Sequence, residues 1–90
     1  MDTKKAFAKS LKELRTMKGV TQEDFSEVSS RTYISMVERG LRCPTLEKID
    51  EFARVLGVHP LALLCLTYMH EEGQQSLERL IGRVKTDLGI

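Results

Sequence analysis

Apolar side chains recur along this chain at intervals of three and four residues, the period of helices buried along one face. Phe7, Leu11, Leu14 and Met17 form the first series, with Lys5, Lys9, Lys12 and Thr16 on another face and Gly19 as the stop. Thr21-Gln22-Glu23-Asp24 fits a capping box, so a second, short helix is predicted there, its acids favoured by the positive end of the helix dipole. A third follows the Ser29-Ser30 pair, holds Ile34 and Val37 inward and runs to Gly40, before Cys43-Pro44 breaks the chain. Thr45 caps a fourth, with Leu46, Ile49, Ala53 and Leu56 toward the core and Gly57 at its end. His59-Pro60 starts a fifth, whose run from Leu61 to Met69 is apolar enough to be largely buried. Beyond Gly73, Leu77, Leu80, Ile81, Val84 and Leu88 mark a last amphipathic helix, with Glu78, Arg79, Arg83 and Lys85 on its wet side. No stretch has the alternation of a strand, and there is no repeat or low-complexity segment. The expected fold is all-α, a compact five-helix domain over residues 1–72 followed by a C-terminal amphipathic helix over residues 73–90.

Ninety residues suffice for one modest core and are expected to leave no separate catalytic or ligand-sensing module. Hydrophobic residues are 41% and charged residues 30% of the chain, a globular composition with no run long enough to cross a bilayer. The stretch from Met1 to Lys9 has three lysines and no apolar segment after them, so no secretory signal is read and a cytoplasmic protein is expected. Cys43 and Cys65 are too few for a disulfide scaffold and lack metal-site spacing; reduced thiols are the default, with Cys65 in the core. His59 and His70 have no ligand-spaced partner and are read as capping or surface residues. The net charge of +1 conceals an asymmetry: residues 1–42 carry nine basic and six acidic side chains, residues 43–90 five and seven. The N-terminal half is therefore the candidate polyanion face.

Two short helices joined by a tight turn, the second rich in small polar and basic residues, make a helix-turn-helix candidate. At this point Leu14-Arg15, Gly19, Thr21-Gln22-Glu23, Tyr33-Ile34-Ser35, Glu38-Arg39-Gly40, Pro44-Thr45-Leu46 and Leu56-Gly57-Val58 resemble the phage-repressor and Cro-like transcriptional regulators. The likeness runs from about Leu11 to Leu64, with the matched positions in order at nearly the family spacing. The turn departs from it. Where that family usually carries a segment of Ser-Gly-Val-Ser type, this chain passes from Val28 through Ser29-Ser30 to Arg31, two residues shorter, and Val28 stands in for the core valine. Without glycine such a turn must avoid the left-handed conformation, so one of the flanking helices must start or stop differently from the family norm.

The resemblance implies that the third predicted helix enters the major groove of double-stranded DNA. Arg31, Thr32, Ser35 and Met36 are then the candidate base contacts: Arg31 suits guanine O6 and N7, and Thr32 and Met36 suit a thymine methyl. Gln22, Tyr33, Arg39 and Arg42 are candidate phosphate contacts, and the resemblance suggests that Gln22 also braces the recognition helix. It further implies a largely buried salt bridge between Arg15 and Glu38. Lys5, Lys9 and Lys12 are either a source of long-range attraction or an ordinary solvated stripe.

One recognition helix reads only a few base pairs, so a homodimer on an inverted repeat is expected, joined through Leu77, Leu80, Ile81, Val84 and Leu88; the same residues would otherwise close the domain's own core. The expected function is that of a stand-alone transcriptional regulator, repressor or autoregulator, with no cofactor, metal or small-molecule ligand and no membrane partner. An antitoxin-like protein-contact module on the same fold is the alternative. An enzyme is excluded on content, since there is no clustered Cys, His and Asp and no glycine-rich phosphate loop.

Overall fold

The computed structural model describes residues 2–73 and 75–90. Among them are five helices and one 3-10 turn, and no strand: α1 (Thr3–Met17), the 3-10 turn (Gln22–Phe25), α2 (Arg31–Glu38), α3 (Leu46–Leu56), α4 (Pro60–Glu71) and α5 (Leu77–Leu88). The fold class is thus all-α. No single described helix is long and apolar enough to cross a membrane.

Each helix starts where a side chain can accept from an amide the helix itself leaves free. Asp2 accepts from Lys5 at the head of α1, Ser30 from Tyr33 at α2, Thr45 from Lys48 at α3 and Ser76 from Arg79 at α5. His59 does the same for α4, its Nδ1 accepting from the Leu61 amide at 2.9 Å, with Pro60 in the first turn. Gly57 ends α3 at φ 73°, a left-handed conformation that a side chain would strain.

The second predicted helix is the element that differs. It is reduced to the four residues of the 3-10 turn, after which Val28 and Ser29 both donate to the Phe25 carbonyl. The i to i+3 spacing of that geometry puts Phe25 and Val28 on one side, where Phe25 is fully buried and Val28 packs partly against the core. With no glycine between Val20 and Gly40, the chain reaches α2 by right-handed turns alone, and the second helix gives way rather than α2. Lys48 of α3 donates to the Val28 carbonyl and holds the turn from the other side.

Phe7, Leu11 and Leu14 of α1, Phe25, Ile34 and Val37 of α2, Ile49, Phe52, Ala53 and Leu56 of α3, and Leu63 of α4 make the core. Phe25 meets Phe52 edge to face, with centroids 5.5 Å apart. α1 packs chiefly on α4 and α2, and α3 on α4. Two ties reinforce the α1–α4 seam: His70 Nε2 lies 3.0 Å from Glu13 Oε2, and Thr3 donates to Glu71 at 3.0 Å. His70 is therefore an enclosed partner of α1 rather than a surface residue, its side chain only 8% exposed.

Three expectations about burial are corrected. Met17 and Leu46, both in register with inward residues, are 71% exposed, because each stands at a helix end where the neighbouring elements cover little of its side chain. The α4 run from Leu61 to Met69 is only partly enclosed: Leu63 and Thr67 are buried, Cys65 is half-buried, and Leu61 and Tyr68 face outward. α4 is apolar nearly all round, and α1, α3 and α5, which pack on it, cover it only in part, so Leu61 and Tyr68 stay open.

Candidate nucleic-acid interface

α2 is eight residues long, about two turns, and is held at both ends. Its inner face is Ile34, Val37 and Glu38, all buried. The outer face carries Arg31 and Thr32, exposed, and Ser35 and Met36, half-buried. These four, with Gln22 from the 3-10 turn and Arg39 at the end of α2, line one shallow groove of about 420 Å³. All four candidate base contacts and two of the four candidate phosphate contacts are thereby brought together. Tyr33 lies outside this groove, half-buried against the core, and Arg42 stands exposed beyond Gly40. Among the described residues neither Arg39 nor Arg42 has a carboxylate within ion-pair distance.

The groove is anchored from behind by Glu38. Arg15 donates twice to this carboxylate, from Nε to Oε2 at 2.7 Å and from Nη2 to Oε1 at 3.0 Å, and Gln22 Nε2 adds a third bond to Oε1 at 3.0 Å. The third guanidinium nitrogen, Nη1, donates to the Val20 carbonyl at 3.2 Å. One carboxylate thus joins α1, the start of the 3-10 turn and the end of α2. The Glu38 side chain is 2% exposed and that of Arg15 20%, so the pair is substantially desolvated. The hydrogen bond to Glu38 raises the Arg15 pKa above its usual value, against the opposing effect of burial, and the guanidinium stays charged at any working pH.

Arg31 is not free in this structure. Its Nη1 lies 3.2 Å from Glu23 Oε1, between side chains 74% and 73% exposed. From sequence, Glu23 is only an acid favoured at a helix start; the one signal for the pair is the acid-to-base separation of eight residues across the turn, which no helical rule relates. A second trough, between α1 and the end of α2, is edged by Lys5, Lys9, Lys12 and Arg39 over Ala8, Met17 and Gly40.

On another side, Leu14, Met17, Leu61, Cys65, Leu77 and Ile81 line an apolar groove of about 550 Å³ shared by α1, α4 and α5. α5 has no buried residue; Leu77, Val84 and Leu88 are 43%, 41% and 67% exposed, while Leu80 and Ile81 are half-buried. Cys43 is exposed, and among the described residues no group of three His, Cys, Asp or Glu is placed to hold a metal ion.

Known proteins resemble this chain in sequence and in fold. The helix-turn-helix family matches residues 11–63. An uncharacterised HTH-type transcriptional regulator, y4dJ, of Sinorhizobium fredii is 39% identical over 69 residues, covering 74% of this chain and 90% of its own length. Control protein C.BamHI of Bacillus amyloliquefaciens is 49% identical over 37 residues, 41% of this chain and 46% of its own. Among solved structures, the restriction-modification controller protein C.AhdI of Aeromonas hydrophila superposes with a TM-score of 0.62 at 37% identity, over 67% of this chain and 94% of its own. The chain belongs to the helix-turn-helix family, among the phage-repressor and Cro-like transcriptional regulators.

Proposed function

We propose that this chain is a transcriptional regulator of the restriction-modification controller type, binding an inverted-repeat operator in double-stranded DNA as a homodimer and acting as a repressor or autoregulator. The observation that carries the reading is the groove shared by Gln22, Arg31, Thr32, Ser35, Met36 and Arg39, a surface of donors and methyl groups on a helix whose base is fixed by Glu38. In this reading residues 1–72 form the DNA-binding domain and residues 73–90 the dimerisation helix, and the protein works in the cytoplasm without cofactor or catalysis.

With α2 in the major groove, Arg31 donates to guanine, Thr32 and Met36 pack on a thymine methyl, and Ser35 bonds an adjacent base edge. Gln22, Arg39 and Arg42, with the hydroxyl of Tyr33, take phosphates and set the register. Leu77, Leu80, Ile81, Val84 and Leu88, with the open side of α4, form the self-complementary face that a twofold requires. The interface fixes the spacing between two recognition helices, and this supplies the specificity that one α2 lacks.

Selection from a random duplex pool, run in parallel with wild type and Arg31→Ala, tests this reading. The expected product is an inverted repeat with half-site centres about 10 base pairs apart. Arg31→Ala should relax one position in each half-site, at a cost of about 1–3 kcal/mol in discrimination, with an almost unchanged salt slope. Weak binding to every duplex, with no enrichment, overturns the reading.

A further inference from the structure

The 3-10 turn carries two adjacent acids that do different work. Asp24 closes the turn, its Oδ2 accepting from the Thr21 amide at 2.8 Å. Glu23 takes no part in the cap, and its side chain makes one hydrogen bond among the described residues, from Arg31 Nη1 at 3.2 Å. Both side chains are about three-quarters exposed, so the pair is too open to water to hold the fold together. Yet it stands on the face proposed to meet DNA, where a lone carboxylate would be repelled by phosphate.

The chemistry of guanidinium gives the contact a use. Its five N–H donors lie in one plane, and guanine O6 and N7 need only the two parallel donors of one edge. With Nη1 on Glu23, the edge formed by Nε and Nη2 is left open. A long side chain tethered in this way loses less freedom when it meets its base, and its charge is partly neutralised, so it is drawn less to the nearest phosphate. We propose that Glu23 is a positioning residue for sequence reading: it holds Arg31 by one terminal nitrogen, presents the opposite edge to guanine, and exchanges general affinity for discrimination. The inference rests on the base-reading role proposed for Arg31.

Wild type, Glu23→Gln, Glu23→Ala, Arg31→Ala and the double variant Glu23→Ala/Arg31→Ala, all full length and checked for helicity by circular dichroism, separate the two ideas. Fluorescence anisotropy would titrate each against three duplexes: the selected operator, the operator with the guanine read by Arg31 replaced, and an unrelated sequence. Glu23→Ala should bind the unrelated duplex more tightly, while its preference for the operator over the replaced guanine falls about tenfold. Glu23→Gln, whose amide oxygen still accepts from Nη1, should keep most of that preference, and the double variant should lose no more of it than Arg31→Ala does. If Glu23→Ala instead tightens binding to all three duplexes equally, Glu23 is only a repelling charge and the proposal falls while the role of Arg31 stands. If Arg31→Ala leaves the preference unchanged, the base-reading role itself fails and takes this inference with it.

Discussion

Around Glu38 a charged group is enclosed and every bond it needs is met within the chain, whereas along α4 and α5 apolar groups stand open that the other described residues cover only in part. The carboxylate is 2% exposed and receives three hydrogen bonds from two side chains. On the other side of α1, Leu61, Leu77 and Leu88 are 53%, 43% and 67% exposed, and α5 buries no residue at all. Normally the burial pattern is reversed, since charges seek water and leucines avoid it. The difference teaches which tasks one copy completes alone. The angle of α2 against the domain is fixed internally, by bonds with demanding geometry. The separation of two such helices is left to association, in the reading proposed above, and apolar surface suits that task because it is strong without being directional.

The sharpest way to break this comparison is to remove one partner at Glu38. Arg15→Ala strands a carboxylate that has only Gln22 left and almost no access to water, at an expected cost of about 3–5 kcal/mol. Glu38→Ala should cost less, because the Arg15 guanidinium is one-fifth exposed and keeps the Val20 carbonyl. Urea unfolding followed by circular dichroism measures both, and Arg15→Met/Glu38→Leu, which removes both charges, should recover most of the loss. Equal losses in the two single variants would mean that enclosure of the carboxylate is not what gives this node its weight.

The open face is tested by Leu77→Glu. Leu77 begins α5 just after the Ser76 cap, where an acid is favoured by the helix dipole, so the fold should tolerate the change. If α5 joins two copies, each loses the burial of the 43% of Leu77 still exposed, together about 1.5–2.5 kcal/mol on the transfer scale. That corresponds to a dimer dissociation constant raised roughly ten- to sixtyfold, read by sedimentation equilibrium. An unchanged association constant would remove this face from the proposed interface.

The two regions were also unequally legible in the sequence. Ser30, Thr45, Pro60 and Gly57 mark helix ends by chemistry local to a few residues, and each stands at or beside such an end. The face of each helix follows from periodicity as well, but how far a neighbour reaches along that face is a tertiary quantity, which is why Met17 and Leu46 are in register and yet exposed. Phe52 is fully buried against Phe25, a contact between segments 27 positions apart that no short-range pattern encodes. In the groove, the side of α2 carrying Arg31, Thr32, Ser35 and Met36 was legible because one helical face is a periodic property. The bond from Arg31 to Glu23 was not, because it depends on how the short turn folds back. The missing glycine did announce an altered turn, and the altered element is the second helix.

The smallest effect compares the same hydroxyl cap on the two regions. Ser30 Oγ accepts from the Tyr33 amide at 3.1 Å on α2, and Ser76 Oγ from the Arg79 amide at 3.2 Å on α5. Loss of such a cap costs about 1 kcal/mol in a helix that must form for the protein to fold. α2 contributes Ile34 and Val37 to the core, so Ser30→Ala should lower the urea midpoint by an amount matching that cost. α5 contributes nothing buried within one copy, so Ser76→Ala should leave the unfolding of a dilute, monomeric sample almost unchanged and show itself as weaker association. Amide hydrogen exchange in the first turn of each helix distinguishes the cases, with protection at α5 rising with protein concentration and protection at α2 independent of it. Concentration-independent protection at α5 would instead place that helix in the core of a single copy, the other role its leucines allow.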